Sequence, residues 1–226
     1  MSPLTHLLAS WIIAVKTTDN LRDRRLVTLA GVAPDLDGLG IIIDIANGSF
    51  ARNKLYYYPE YHHWLTHGLP GAIVCAALLA AFARRRWRVL WLALFARRRW
   101  RVLWLELFAR RRWRVFWLAL LTFHFHLLCD LVGSRGPDAM DFWPIYYFGP
   151  ISQHPMWIWR HQWRLDGWQN QVITIVLFLW ALRLAVKHGD SFVGVFNRRC
   201  DAIFVGVLRK WRDRLTGAQE LAARKN

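Results

Sequence analysis

The chain has 226 residues, a length that suits one domain. Thirty-one Lys and Arg against 15 Asp and Glu leave a formal net charge of +16, and 55% of the residues are hydrophobic, 15 of them Trp. That much apolar surface excludes a disordered polycation, and the three isolated cysteines, Cys75, Cys129 and Cys200, exclude a disulfide framework or a Cys-type zinc knuckle.

In chain order, the pattern predicts a helix over 4–16 and a basic turn over 17–25. A helix over 26–34 follows, broken by Pro34, and then an apolar stretch over 36–46. A polar, tyrosine-rich loop at 47–61 leads into a helix over 62–83. Beyond the repeats described below come a helix over 114–132 and a Gly/Pro-punctuated aromatic segment over 133–170. That segment is too long for a linker and reads as a functional cover or interfacial loop. A last membrane helix over 170–187 precedes a basic amphipathic tail over 192–216. No run reaches the ~18–20 uncharged apolar residues of a clear span. Leu4–Val15, Gly68–Ala83, Val115–Cys129 and Val172–Leu182 come close, each with basic residues beside it and Trp near an end. The expectation is an all-α, membrane-embedded helical bundle. Residues 1–190 form its main domain and 191–226 a basic tail. The N-terminal stretch lacks the basic start and small-residue cleavage site of a signal peptide.

Between the helices lies a tandem repeat. Phe82–Leu94, Phe95–Leu107 and Phe108–Leu120 are three nearly identical 13-residue copies built on FARRRWRV. Thirteen residues turn a helix by about 220° net, so the Arg clusters make no single stripe. The eight apolar residues Val89–Ala96 between two clusters would cover about 12 Å of helix, far short of a bilayer. The repeat therefore reads as a duplication within a connector. Without two of the copies the net charge falls from +16 to +9, which removes much of the case for nucleic acid. That partner is disfavoured, because Arg with Trp is also what a cytoplasmic membrane interface carries.

The chemistry-bearing residues are the His and Asp that interrupt apolar segments, where an ionisable group is costly and marks a site. His6 opens the first apolar stretch, Asp35 and Asp37 sit in Ala33-Pro34-Asp35-Leu36-Asp37, and His62, His63 and His67 fall in one seven-residue run. His126 and Asp130, four apart, share a helix face. If successive helices are antiparallel, His6, Asp35, Asp37, His62, His67, His126 and Asp130 meet at one end of the bundle and the arginines at the other. Carboxylate and imidazole without thiolate suit a divalent transition metal: Zn first, with Mn or Fe also accommodated, as one ion or two. Such a site generates hydroxide from water and neutralises charge on a phosphoryl or acyl group. His63 and Asp138, the latter just beyond His126 and Asp130, are candidates for the catalytic acid.

Thr5-His6, the run from Gly31 through Pro34-Asp35 to Asp37, Thr66-His67 with His62, and His126 with Asp130 occur in that order. In this the chain resembles the LexA-binding, inner-membrane-associated metal-dependent hydrolase family, over about residues 1–150 apart from the repeat. More distantly it is similar to zinc-dependent phospholipases C and single-strand nucleases. The resemblance implies a multi-pass helical protein of the bacterial inner membrane with these His and Asp as metal ligands. The chain departs from the family where it has His62-His63 in place of His-Arg.

The leading expectation is a membrane-bound hydrolase using metal-activated water on a small-molecule or lipid phosphoester, with membrane phospholipid around it. The alternative is a non-catalytic membrane protein that binds a LexA-like partner and keeps the cluster as a structural relic. The positive-inside rule places the basic end in the cytoplasm.

Overall fold

The computed structural model describes residues 1–48, 56, 57, 62, 66–83 and 110–223. The first two repeat copies, except Phe82 and Ala83, lie outside the described residues, as does His63. Seven helices are described: α1 (Pro3–Thr17), α2 (Leu21–Ala30), α3 (Gly40–Ala46), α4 (Leu69–Phe82), α5 (Arg110–Gly133), α6 (Trp168–His188) and α7 (Arg198–Ala223). A 3-10 turn, Ala33–Leu39, joins α2 to α3, and a second one, Phe192–Val195, precedes α7. The short strands β1 (Ile145–Tyr146) and β2 (Met156–Trp157) pair antiparallel within the segment between α5 and α6.

Local chemistry sets the boundaries. Ser2 caps α1, with Pro3 opening the helix. Asn20 Oδ1 accepts the Arg22 and Asp23 N–H groups, so α2 starts at Leu21 rather than near residue 26. The cluster Arg22–Arg25 is thus helical, not a turn; Arg24 is buried and bonded to Asp190 at 2.5 Å. Pro34 begins the 3-10 turn instead of ending a helix. The expected helix over 62–83 starts only at Leu69, because Gly68 is extended and Pro70 occupies the first turn. His62 and His67 accordingly lie before α4. α5 runs from within the third Arg triplet to Gly133, longer at both ends than the pattern suggested.

The core explains the arrangement. Ala72, Phe123, Leu127 and Ile145 form one cluster, and Ala30, Ala76 and Ala119 another, so α4 lies antiparallel to α5 with small residues at the closest approach. On the other side Leu8, Trp11, Ile12 and Val15 of α1 pack on Ala181, Leu184 and Ala185 of α6 and Val205 of α7. Thr5 bonds Thr174 at 2.7 Å near the start of both helices, so α1 and α6 run parallel. α2 runs with α5: Asp23 meets Arg111, Val27 O accepts from Thr122, and Gly31 O accepts from His126.

Among the described residues α5 and α6 are long and apolar enough to cross a bilayer. α2 with Ala33–Ala46 makes a third candidate, bent by 49°. Trp113, Trp117, Leu121, Phe125 and Leu128 of α5 are exposed, as are Val172, Ile175, Val176 and Leu179 of α6. These outward stripes are what lipid solvates. The protein is a helical membrane bundle.

Candidate metal centre

Four segments bring the seven predicted residues to one end of the bundle. His6 comes from the first turns of α1, Asp35 and Asp37 from the 3-10 turn, His62 and His67 from the residues before α4, and His126 and Asp130 from the last turns of α5. They form two groups whose possible ligand atoms lie within 4.8 Å of one another: His6, Asp35, His126 and Asp130, and Asp37, His62 and His67.

The hydrogen bonds orient the rings. His126 Nδ1 donates to Gly31 O at 2.8 Å, and His67 Nδ1 donates to Asp37 Oδ2 at 2.8 Å. With the Nδ1 atoms so engaged, the two Nε2 atoms point at each other, 3.3 Å apart. Asp130 Oδ2 faces both, at 2.8 Å from His126 Nε2 and 3.5 Å from His67 Nε2, and Asp35 Oδ1 is 3.7 Å from His126 Nε2. His126 Nε2, a lone pair aimed at carboxylate oxygens, calls for a proton or a cation between them. Burial alone would push His67 down; its bonds to Asp130 and Asp37 outweigh that and raise it to about 9. His6 stacks on His126 at 3.6 Å and reaches Asp130 Oδ1 at 3.1 Å.

The donor set fits a divalent cation. Asp35 Oδ2 and His6 Nδ1 are buried with no hydrogen-bond partner, and buried polar atoms are otherwise almost always paired. Imidazole rings fixed through Nδ1 by a carboxylate or a backbone carbonyl are the usual supports of metal-binding histidines.

Close packing holds the frame. A Cβ on Gly31 would lie 1.7 Å from Ser10 Oγ, so only glycine lets α2 approach α1 closely enough to offer its carbonyl to His126. Gly68, after His67, is similarly pressed against the carbonyls of Tyr146 and Tyr147. Asp37 also bonds His62 Nδ1 at 2.9 Å and accepts the Thr66 N–H at 3.2 Å, while Thr66 Oγ1 donates to Pro34 O at 2.5 Å.

Ser134, Trp143 and Gln162 were not evident from sequence. Ser134 Oγ donates to Asp130 Oδ1 at 2.9 Å, and the Met1 nitrogen bonds the same oxygen. Buried Gln162 donates to Asp130 O and accepts from Trp143 N, pinning the 134–167 segment over the end of α5. Trp143 sets its ring edge-on to His62, centroids 5.3 Å apart. No spacing in the chain links these residues to the cluster; one uncharged Gln among many aromatics gives no signal. Asp138 lies exposed on that segment and belongs to neither group.

A helical membrane protein with a buried His/Asp cluster at one end is the class that fold and site define. The chain belongs to the YdjM inner membrane protein family, whose model matches residues 1–197. The match includes all seven clustered residues and ends just before α7. No curated protein and no solved structure matches the chain.

Proposed function

We propose that the chain is a membrane-bound, metal-dependent hydrolase of phosphoesters. The observation that carries this reading is the convergence of His67 Nε2, His126 Nε2, Asp130 Oδ2 and Asp35 at the bundle end, with Asp35 Oδ2 buried and unpartnered. These four would hold the ion, with His6 beside them. Asp37 holds His62 and His67 in orientation through their Nδ1 atoms. A divalent cation bound there, Zn or else Mn or Fe, supplies Lewis-acid stabilisation of phosphoryl charge and lowers the pKa of water. Asp35 and His62 border an adjacent cavity where an ester can enter. The test is turnover of bis(4-nitrophenyl) phosphate by detergent-purified, Zn-loaded protein. Turnover lost in Asp130→Asn and on chelation supports the reading; none in the wild type refutes it.

A non-catalytic membrane protein, of the kind that would bind a LexA-like partner, has one observation on its side. Asp130 already engages Met1, Ser134, His6 and His126. Stoichiometric metal without turnover would favour it.

The topology belongs to the same proposal: a multi-pass protein with its basic end in the cytoplasm. Lys16, Arg24, Arg25, Arg111, Arg114 and Lys187 gather opposite the cluster, and the positive-inside rule assigns that end. Single cysteines at Asp138 and Thr216 in a cysteine-free background should label from opposite sides of the membrane. Labelling of both from the cytoplasm would refute the orientation.

A further inference from the structure

A cavity of about 350 Å³ opens beside the cluster. Asp35, His62 and Asp130, with Ser2 and Ser134, line its polar side, and Leu39, Ile41, Trp143 and Leu165 are the main apolar residues of its wall, beside Met1 and Pro3. Its rim is unusually apolar for an end of the molecule meant to face water. Leu39 is 51% exposed and Leu165 40%. Beyond Ile41 along α3, Ile42, Ile43 and Ile45 are all exposed as well. An exposed apolar patch of this extent marks contact with a membrane or an apolar partner. α3 is also the far arm of the bent pair that qualifies as a span. The cavity therefore has its charged side at the cluster and its apolar side beside the exposed isoleucines of α3. A small water-soluble phosphoester would gain nothing from those walls, whereas binding sites commonly match apolar surface to the apolar part of their ligand.

We propose that the ligand of this cavity is an amphiphile: a membrane lipid whose phosphoester would meet the divalent cation that Asp35 and Asp130 would hold, beside His62, while its apolar chain leaves between Leu39, Ile41, Trp143 and Leu165. The chemistry rests on the hydrolase reading above; the ligand class rests on the cavity. In the reaction, water oxygen bonds to phosphorus and the bond from phosphorus to the ester oxygen breaks. One water proton ends on that departing oxygen, giving an alcohol and a phosphate carrying the water oxygen.

The experiment uses the full chain, loaded with Zn²⁺, in phosphatidylethanolamine and phosphatidylglycerol vesicles, with a trace of phosphatidic acid bearing a diazirine in its acyl chain. Photocrosslinks are mapped by mass spectrometry. Crosslinks are expected on the peptides holding Leu39, Ile41 and Leu165. Ile41→Trp, which fills the cavity, and Leu165→Asn, which removes an apolar wall, should each lower that yield about tenfold with helix content unchanged. Val74→Trp, exposed on α4 and lining a different cavity, should leave it unaltered. Crosslinks absent from those peptides, or undiminished in both cavity variants, overturn the proposal. Cleavage of bis(4-nitrophenyl) phosphate without these crosslinks overturns the lipid ligand and leaves the hydrolase. The crosslinks without cleavage of either ester support the lipid ligand and overturn the hydrolase.

Discussion

Replacing Asp37 with Asn separates a residue that orients imidazoles from one that binds the ion. Asp37 Oδ1 takes His62 Nδ1–H at 2.9 Å, and Oδ2 takes both His67 Nδ1–H at 2.8 Å and the Thr66 N–H at 3.2 Å. Asparagine keeps the volume but offers a single oxygen. If that oxygen stays with His67 and Thr66, its amide N–H groups meet the His62 N–H donor to donor, and His62 must change tautomer or turn away. One charge-assisted bond is lost, and the others weaken with the loss of charge. Loss of such a supporting partner lowers metal affinity by about 10- to 100-fold, or roughly 1.4–2.8 kcal/mol. The assay is competition for Zn²⁺ between detergent-solubilised protein and a chromophoric chelator, with Asp130→Asn alongside. Asp130→Asn removes a ligand and should abolish binding. If Asp37→Asn is equally severe, Asp37 is itself a ligand and the division of roles is wrong. Unchanged affinity would show that the ion does not depend on His62 or His67.

Metal uptake should depend on pH through His67. Raised from its ordinary 6.5 to about 9, it keeps in the metal-free protein a proton that a cation must displace, so affinity should climb by up to about tenfold per pH unit and flatten above 9; affinity independent of pH from 7 to 9 would contradict this. By the same linkage the metal-free protein has the full His67 contribution to stability below about 6.5 and loses it as pH rises through about 9, which thermal unfolding at several pH values checks. Gly31→Ala drives a Cβ to within 1.7 Å of Ser10 Oγ, so it should cost about 1–3 kcal/mol as overpacking and weaken zinc binding by shifting the carbonyl that holds His126; a variant as stable as the wild type would refute the close α1–α2 approach. At the basic end, burial pushes Asp190 up although Arg24 sits 2.5 Å away. Asp190→Leu leaves buried Arg24 only Thr18 O and the exposed Asp19 carboxylate at 3.7 Å and should cost about 1–3 kcal/mol, whereas Arg24→Met with Asp190→Leu should recover most of it; a thermal double-mutant cycle with no coupling would show the pair to be unimportant.

The helices and the assembly of the site differed in how legible they were. α1 and α6 followed from apolar runs edged by Trp and basic residues, within two residues of the expected ends. The convergence of His6, the two Asp of the 3-10 turn, and His126 with Asp130 followed from helix direction alone. Arg22–Arg25 reads as a solvated turn, whereas a partner 166 residues away, Asp190, makes Arg24 a buried residue of α2. The apolar run into α4 predicts a helix through His62 and His67, yet both lie before the Gly68-Leu69-Pro70 start of α4, their Nδ1 atoms held by Asp37. Asp37 looked like a ligand equal to Asp35. In the structure its oxygens face the Nδ1 atoms of His62 and His67, and these three form the second group that could hold an ion, while Asp35 Oδ2 in the first group is unpaired. Ser134 and Gln162 depend on how a 34-residue segment folds back over α5, which hydrophobic periodicity does not encode.

The central claim is that the converging imidazoles and carboxylates hold a metal ion, and elemental analysis of the detergent-purified full chain tests it most directly. About one to two equivalents of a divalent transition metal are expected in the wild type, and none in Asp35→Asn combined with His126→Ala, with helix content intact by circular dichroism. Undiminished metal in that double variant, or a wild type that stays metal-free after incubation with Zn²⁺, would contradict it.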